Sequence, residues 1–122
     1  MKAGVWVAIG VAILAGVLVG RSALHRSAPT GRTPQFENAQ AKVWRTRVAP
    51  GNPLPLHRHE HARIIVALAA GELDLKDQSG RTERHPLEAG RAYWLPAMPP
   101  GALHQDVNPG RSPLDLMVIE LK

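Results

Sequence analysis

Cysteine is absent from this 122-residue chain. That excludes disulfide staples and thiolate metal sites, and it leaves the redox compartment undecided. Aromatic residues are scarce, with three Trp, one Tyr and one Phe. Acidic residues are outnumbered, 10 against 15 Lys and Arg, for a net charge of +5. The excess does not belong to the folded part: Lys2, Arg21, Arg26 and Arg32 precede residue 33, and from Thr33 onward the balance is +1. No basic stripe interleaved with aromatics survives that division, so nucleic-acid binding is not expected. Helical periodicity is missing after residue 40, which argues against a helix-rich fold.

What is present first is an uncharged apolar run over residues 3–20, preceded by Lys2 and followed by Arg21. It reads as a membrane-targeting segment, either a cleaved secretory signal or an uncleaved transmembrane anchor. No clean small-x-small cleavage site follows it, and that tips the reading toward an anchor. Flanking basic residues fit insertion and headgroup contact. The folded domain is then expected on the extracytoplasmic (periplasmic) side, membrane-anchored or secreted. Residues 22–40, rich in Ser, Ala, Pro, Thr, Gly and Arg, read as a flexible tether. The division expected is therefore residues 1–21 signal or anchor, 22–40 tether and 41–122 a single domain.

From residue 41 the pattern becomes short apolar or alternating runs punctuated by Gly, Pro and Asn, the signature of an all-β sandwich or barrel. Residues 42–49 alternate Trp44, Thr46 and Val48 against Val43, Arg45 and Arg47. Residues 63–69 form a β-branched apolar run suited to a strand buried on both sides. Further strands are expected at 71–76, 81–85, 91–95, 102–107 and 114–121, giving roughly eight with the histidine-bearing stretch counted. Trp44, Tyr93 and Trp94 are expected in the barrel core, one of them at the pocket mouth.

The chemistry gathers at residues 51–61, Gly-Asn-Pro-Leu-Pro-Leu-His-Arg-His-Glu-His. On an extended strand His57 and His59 project to the same face. Neutral imidazole is the commonest ligand for first-row metals, and two from one strand with a third from elsewhere make a facial site with open positions. His104 is the candidate third. His61 shares the parity of His57 and His59 and is open to two readings, a fourth ligand or a hydrogen-bonding neighbour at a strand bend. Arg63 either contacts an anionic substrate or pairs with Glu60 or Glu72. Glu60 alternates to the opposite face, and only Asp106 shares the parity of His104, which is thin support for acid/base chemistry. His25 and His85 are expected to be exposed.

Two motifs carry a family resemblance. Gly51-x5-His57-x-His59, continuing through Arg63 to Gly71, resembles the first cupin motif, Gly-x5-His-x-His-x3or4-Glu-x6-Gly. Gly90-x5-Pro96, then Pro99-x-Gly101-x2-His104-x3-Asn108, resembles the second, Gly-x5-Pro-x-Gly-x2-His-x3-Asn, with three extra residues before its Pro-Pro-Gly turn. The resemblance implies a small single-domain cupin: a double-stranded β-helix, or jelly-roll-like barrel, with a metal or ligand site in its mouth. In the family the Glu of the first motif is a ligand; here its place falls on Arg63 or Ile64. The implied ligand set is His57, His59 and His104, without a carboxylate, and the implied cofactor is a divalent transition metal, Fe, Mn, Ni or Zn.

Two classes of function follow. One is a metal-dependent oxidoreductase, dioxygenase-like, acting on a small molecule. The other is a non-catalytic small-ligand-binding or sensing module held at the membrane. Pairing of small cupins, together with an open edge at residues 42–49, suggests a homodimer.

Overall fold

The computed structural model describes residues 29–122, so the apolar run at 3–20 and residues 22–28 of the expected tether lie outside the described residues. Within them the chain is all β, with eight strands in chain order: β1 (Gly31–Glu37), β2 (Ala41–Val48), β3 (Arg63–Ala67), β4 (Gly71–Asp77), β5 (Thr82–Leu87), β6 (Ala92–Leu95), β7 (His104–Val107) and β8 (Leu114–Leu121). They form two antiparallel sheets, a five-stranded one in the order β1-β2-β8-β3-β6 and a three-stranded one in the order β5-β4-β7. Among the described residues no helix is long and apolar enough to cross a membrane.

Period-2 alternation builds the interior. On β2, Trp44, Thr46 and Val48 turn inward; on β8, Leu114, Leu116 and Val118 do the same. The two strands pair residue for residue from Ala41 opposite Leu121 to Val48 opposite Leu114, so these inward sets lie side by side. Ile65, Ala67, Leu73, Leu87 and Leu95 complete an aliphatic core against Trp44. Burying such side chains contributes roughly 1.5–3 kcal/mol each.

Turns are set by backbone chemistry. Gly80, at φ 89°, closes the β4–β5 hairpin in a conformation that L side chains rarely adopt. The Asp77 carboxylate accepts bonds from the backbone N–H of Ser79 and Arg81. Asn108 fixes the turn after β7 by donating to the Val48 and Ser112 carbonyls and accepting from the Gly110 N–H.

Three expectations are corrected here. Residues 31–37, taken from composition as tether, form β1 and pair with β2 from Gly31 opposite Arg47 to Glu37 opposite Lys42, with an irregularity between Pro34 and Phe36. Composition missed this strand because it is an edge strand with almost no buried residue, so no alternation marks it. It also covers the β2 edge that was expected to be open. Second, the stretch carrying His57 and His59 is not a regular strand; it is held by an isolated bridge between His57 and His104. Pro53 and Pro55 lack the N–H groups a ladder needs. Third, Trp94 is 59% exposed: it sits opposite Ile64 on the outer face of β3 and β6, while Trp44 is buried and Tyr93 packs against the core.

Candidate metal centre

The irregular stretch that follows β2 is stitched to β7. The Leu54 N–H donates to the Asp106 carbonyl (3.0 Å), the His57 N–H to the His104 carbonyl (2.8 Å) and the His104 N–H back to the His57 carbonyl (2.9 Å). Leu54 anchors this stretch by burying its side chain in the core. Five residues on, the His59 carbonyl accepts from the Met98 N–H (2.9 Å). The loop thus runs between the second sheet and the segment before β7, and it aims His57 and His59 at His104.

The three rings meet. Centroids of His57 and His104 are 4.8 Å apart, those of His57 and His59 4.9 Å, and those of His59 and His104 5.4 Å. One nitrogen from each ring lies within 4.8 Å of the other two. His59 is also stacked parallel to Trp44, with centroids 6.2 Å apart. His59 and His104 are buried, and His57 is half-buried.

Hydrogen bonds at the far side of two rings select their tautomers. His57 Nδ1–H donates to the Pro55 carbonyl (2.7 Å), and His59 Nδ1–H donates to Glu120 Oε2 (3.1 Å). Both leave Nε2 unprotonated and facing the cluster, the arrangement in which a backbone carbonyl or carboxylate orients a metal-ligating imidazole. Nε2 of His57 and Nε2 of His104 are buried with no hydrogen-bond partner among the described residues. Buried polar atoms without partners are costly, and a guest held at their point of convergence would satisfy them.

Burial and nearby positive charge keep His59 and His104 neutral. Burial, reinforced by the positive field of Arg63 and then by the neighbouring imidazoles, lowers His59 to about 2. Burial, then His57, Arg63 and Arg32, lowers His104 to about 3. Imidazoles that refuse a proton at neutral pH are ligands ready to donate. The donor set therefore fits a divalent first-row ion.

Asp106 is the residue that sequence reasoning undervalued. Its Oδ1 lies 3.5 Å from His104 Nε2 and 3.7 Å from His57 Nε2, too far for a hydrogen bond, and it has no partner of its own among the described residues. Burial pushes its carboxyl above the ordinary aspartate range, while His57, Arg63 and Arg32 pull the other way. Parity with His104 on β7 was the only signal for it in the sequence; depth came from the fold.

The remaining candidates separate. Arg63 faces inward and is 4% exposed, while Ile64 faces outward, so the place of the family's glutamate is taken by a buried guanidinium. Arg63 forms no ion pair within 4 Å among the described residues, although Asp106 and Glu120 both act on it. His61 is exposed and lies outside the three-histidine group. Glu60 is exposed. His85, expected to be exposed, is half-buried on β5, with its Nε2 3.1 Å from Glu83. Arg32, placed by composition in the tether, stands over the Trp44 ring at 5.2 Å from its centroid.

No family model matches the chain. Among curated proteins it is similar to the beta-alanine degradation protein BauB of Pseudomonas aeruginosa, 36% identical over 91 residues, which span 74% of this chain and 90% of the relative. Among solved structures it is similar to a cupin domain from Bordetella pertussis Tohama I, with a TM-score of 0.67 and 29% identity over 77% of this chain and 94% of that one. A Klebsiella pneumoniae protein with a double-stranded β-helix domain shares the fold, at a TM-score of 0.58 and 20% identity over 78% of each chain. Two antiparallel sheets, three converging histidines and these relatives together establish that the chain belongs to the cupin superfamily.

Proposed function

We propose that His57, His59 and His104 hold a divalent transition metal and that the protein acts on a small molecule beside it as a dioxygenase-like oxidoreductase. The observation that carries the metal reading is the pair of buried, unpartnered Nε2 atoms of His57 and His104, aimed into one cluster with His59. The ion would supply Lewis acidity or redox chemistry. The chain's own residues do the rest: Pro55 and Glu120 hold two rings in the donating tautomer, Trp44 and the core exclude water, and Asp106 brings a carboxyl oxygen to 3.5 Å and 3.7 Å from two donor nitrogens. Nitrogen donors favour Zn, Ni or Cu over Mn by intrinsic affinity, and dioxygenase chemistry would call for a redox-active ion such as Fe rather than redox-inert Zn.

A second reading, a non-catalytic small-ligand-binding module, draws on the same pocket. A curated relative named for beta-alanine degradation supports small-molecule chemistry over sensing. The apolar run at 3–20 supports a place at the membrane with the cupin domain on the extracytoplasmic side. We propose a homodimer as well, paired through the outer edge of β1 now that β2 is covered.

Elemental analysis of the full chain, purified without a polyhistidine tag, is the test. We expect about one equivalent of transition metal per chain, lost in His57→Ala and His104→Ala and kept in His61→Ala. Absence of metal, before and after reconstitution, overturns the metal-centred reading and leaves the ligand-binding module.

A further inference from the structure

The largest unexplained feature beside the histidines is a cleft of about 450 Å³ between β1 and the loop of His59. Trp44 and Val43 supply apolar surface, Phe36 stands 58% exposed at its side, and Arg32, Lys42 and Arg58 bring positive charge. Its two acids are already engaged: Glu37 pairs with Lys122 at 3.0 Å and Glu120 with His59 at 3.1 Å.

Arg58 lies 3.9 Å from Glu60, while Lys42 and Arg32 have no ion pair within 4 Å among the described residues. Arg32 differs from Lys42 in its place. Its guanidinium lies over Trp44, and the residue borders both the outer cleft and the narrow interior lined by His59, Arg63 and Asp106. That interior has only about 10 Å³ of room, enough for one water-sized group. His59 lines both the outer cleft and that interior, so a ligand whose body sits in the outer cleft lies beside the histidines, with Arg32 bordering the two spaces.

We propose that the cleft over Trp44 is a carboxylate-binding site in which Arg32 receives the anionic end of a small organic acid and holds it beside the three histidines. A guanidinium presents two parallel N–H donors that match the two oxygens of a carboxylate. The apolar floor of Trp44 and Val43 suits a short aliphatic or aromatic body, which an organic acid carries and inorganic phosphate does not. The proposal names the substrate class for the function above and rests on that reading only for what happens after binding; capture of the acid needs no metal.

The test is calorimetric titration of the full chain with propionate and benzoate, with benzyl alcohol as the uncharged match and inorganic phosphate as the alternative anion. Each titration is run on native and metal-stripped protein, with metal content measured in every sample. At least one acid is expected to bind in both forms, in preference to phosphate and to benzyl alcohol. Its affinity should fall about tenfold or more in Arg32→Gln, with metal content unchanged, and stay the same in Arg91→Gln, a surface arginine on the far side of the sheet. Binding that survives Arg32→Gln, binding that vanishes on stripping the metal, a preference for phosphate, or no binding of either acid would each overturn the assignment. A chain that neither carries metal as purified nor takes it up on reconstitution, yet binds benzoate through Arg32, would sink the metal reading and leave this one standing.

Discussion

Acid should unfold the metal-free protein through its buried histidines before its carboxylates titrate. His59 and His104 have folded pKa values near 2 and 3, against about 6.5 in an unfolded chain. Both are depressed, so the unfolded state binds more protons and stability falls as pH falls. The contribution is fully present above about pH 6.5 and is lost progressively toward the folded values. Well below 6.5 each ring costs about 1.4 kcal/mol per pH unit, so the pair removes about 5 kcal/mol between pH 7.5 and 4.5. That is comparable with the whole stability of many domains, about 5–15 kcal/mol. Asp106, whose carboxyl is raised by burial, acts in the opposite sense and returns part of this as pH falls. The ion-paired Asp74 and Asp115 have lowered values, so their loss comes at lower pH, outside the window. Urea titrations of the chelator-treated full chain at four pH values between 7.5 and 4.5 would measure the slope. The double variant His59→Asn/His104→Asn should flatten it. Equal pH dependence in native and variant protein would refute the claim that these rings are held neutral by burial.

Two further outcomes test the surroundings of the site. Glu120→Gln keeps an acceptor for His59 Nδ1 but removes the charge; metal affinity, read by competition with a chromophoric chelator, should fall about 10- to 100-fold while the fold persists, and an unchanged affinity would deny Glu120 its orienting role. Gly71→Ala places a Cβ 2.5 Å from Leu114 Cδ2, and Leu114 is 1% exposed with little room to yield, so the urea midpoint should drop by the equivalent of about 1–3 kcal/mol; a midpoint at the native value would show that the core accommodates the methyl group.

The eight expected strands and the eight observed agree in number but not in membership. Strong alternation or an apolar run bounded by turn residues marked β2, β3, β4 and β8 to within two residues of their ends. β1 went unread because an exposed edge strand has no hydrophobic period, and with it Arg32 was missed. The His57 stretch was read as a strand from its spacing; its prolines prevent a ladder, yet the bridge to β7 brings the same imidazoles together. Trp94 was assigned to the core by composition alone, whereas register with Ile64 turns it outward.

By itself the sequence determined the class of fold and the three histidines that come together, because period-2 burial, turn residues and the two histidine motifs are local signals that survive without coordinates. The tertiary structure alone decided the rest of the site. Whether Arg63 or Ile64 faces inward depends on strand register, which a one-residue slip reverses. Whether Asp106 reaches the histidines and whether Arg32 overhangs Trp44 depend on how distant segments pack. Those are contacts between residues far apart in the chain, and no local pattern encodes the distance between them.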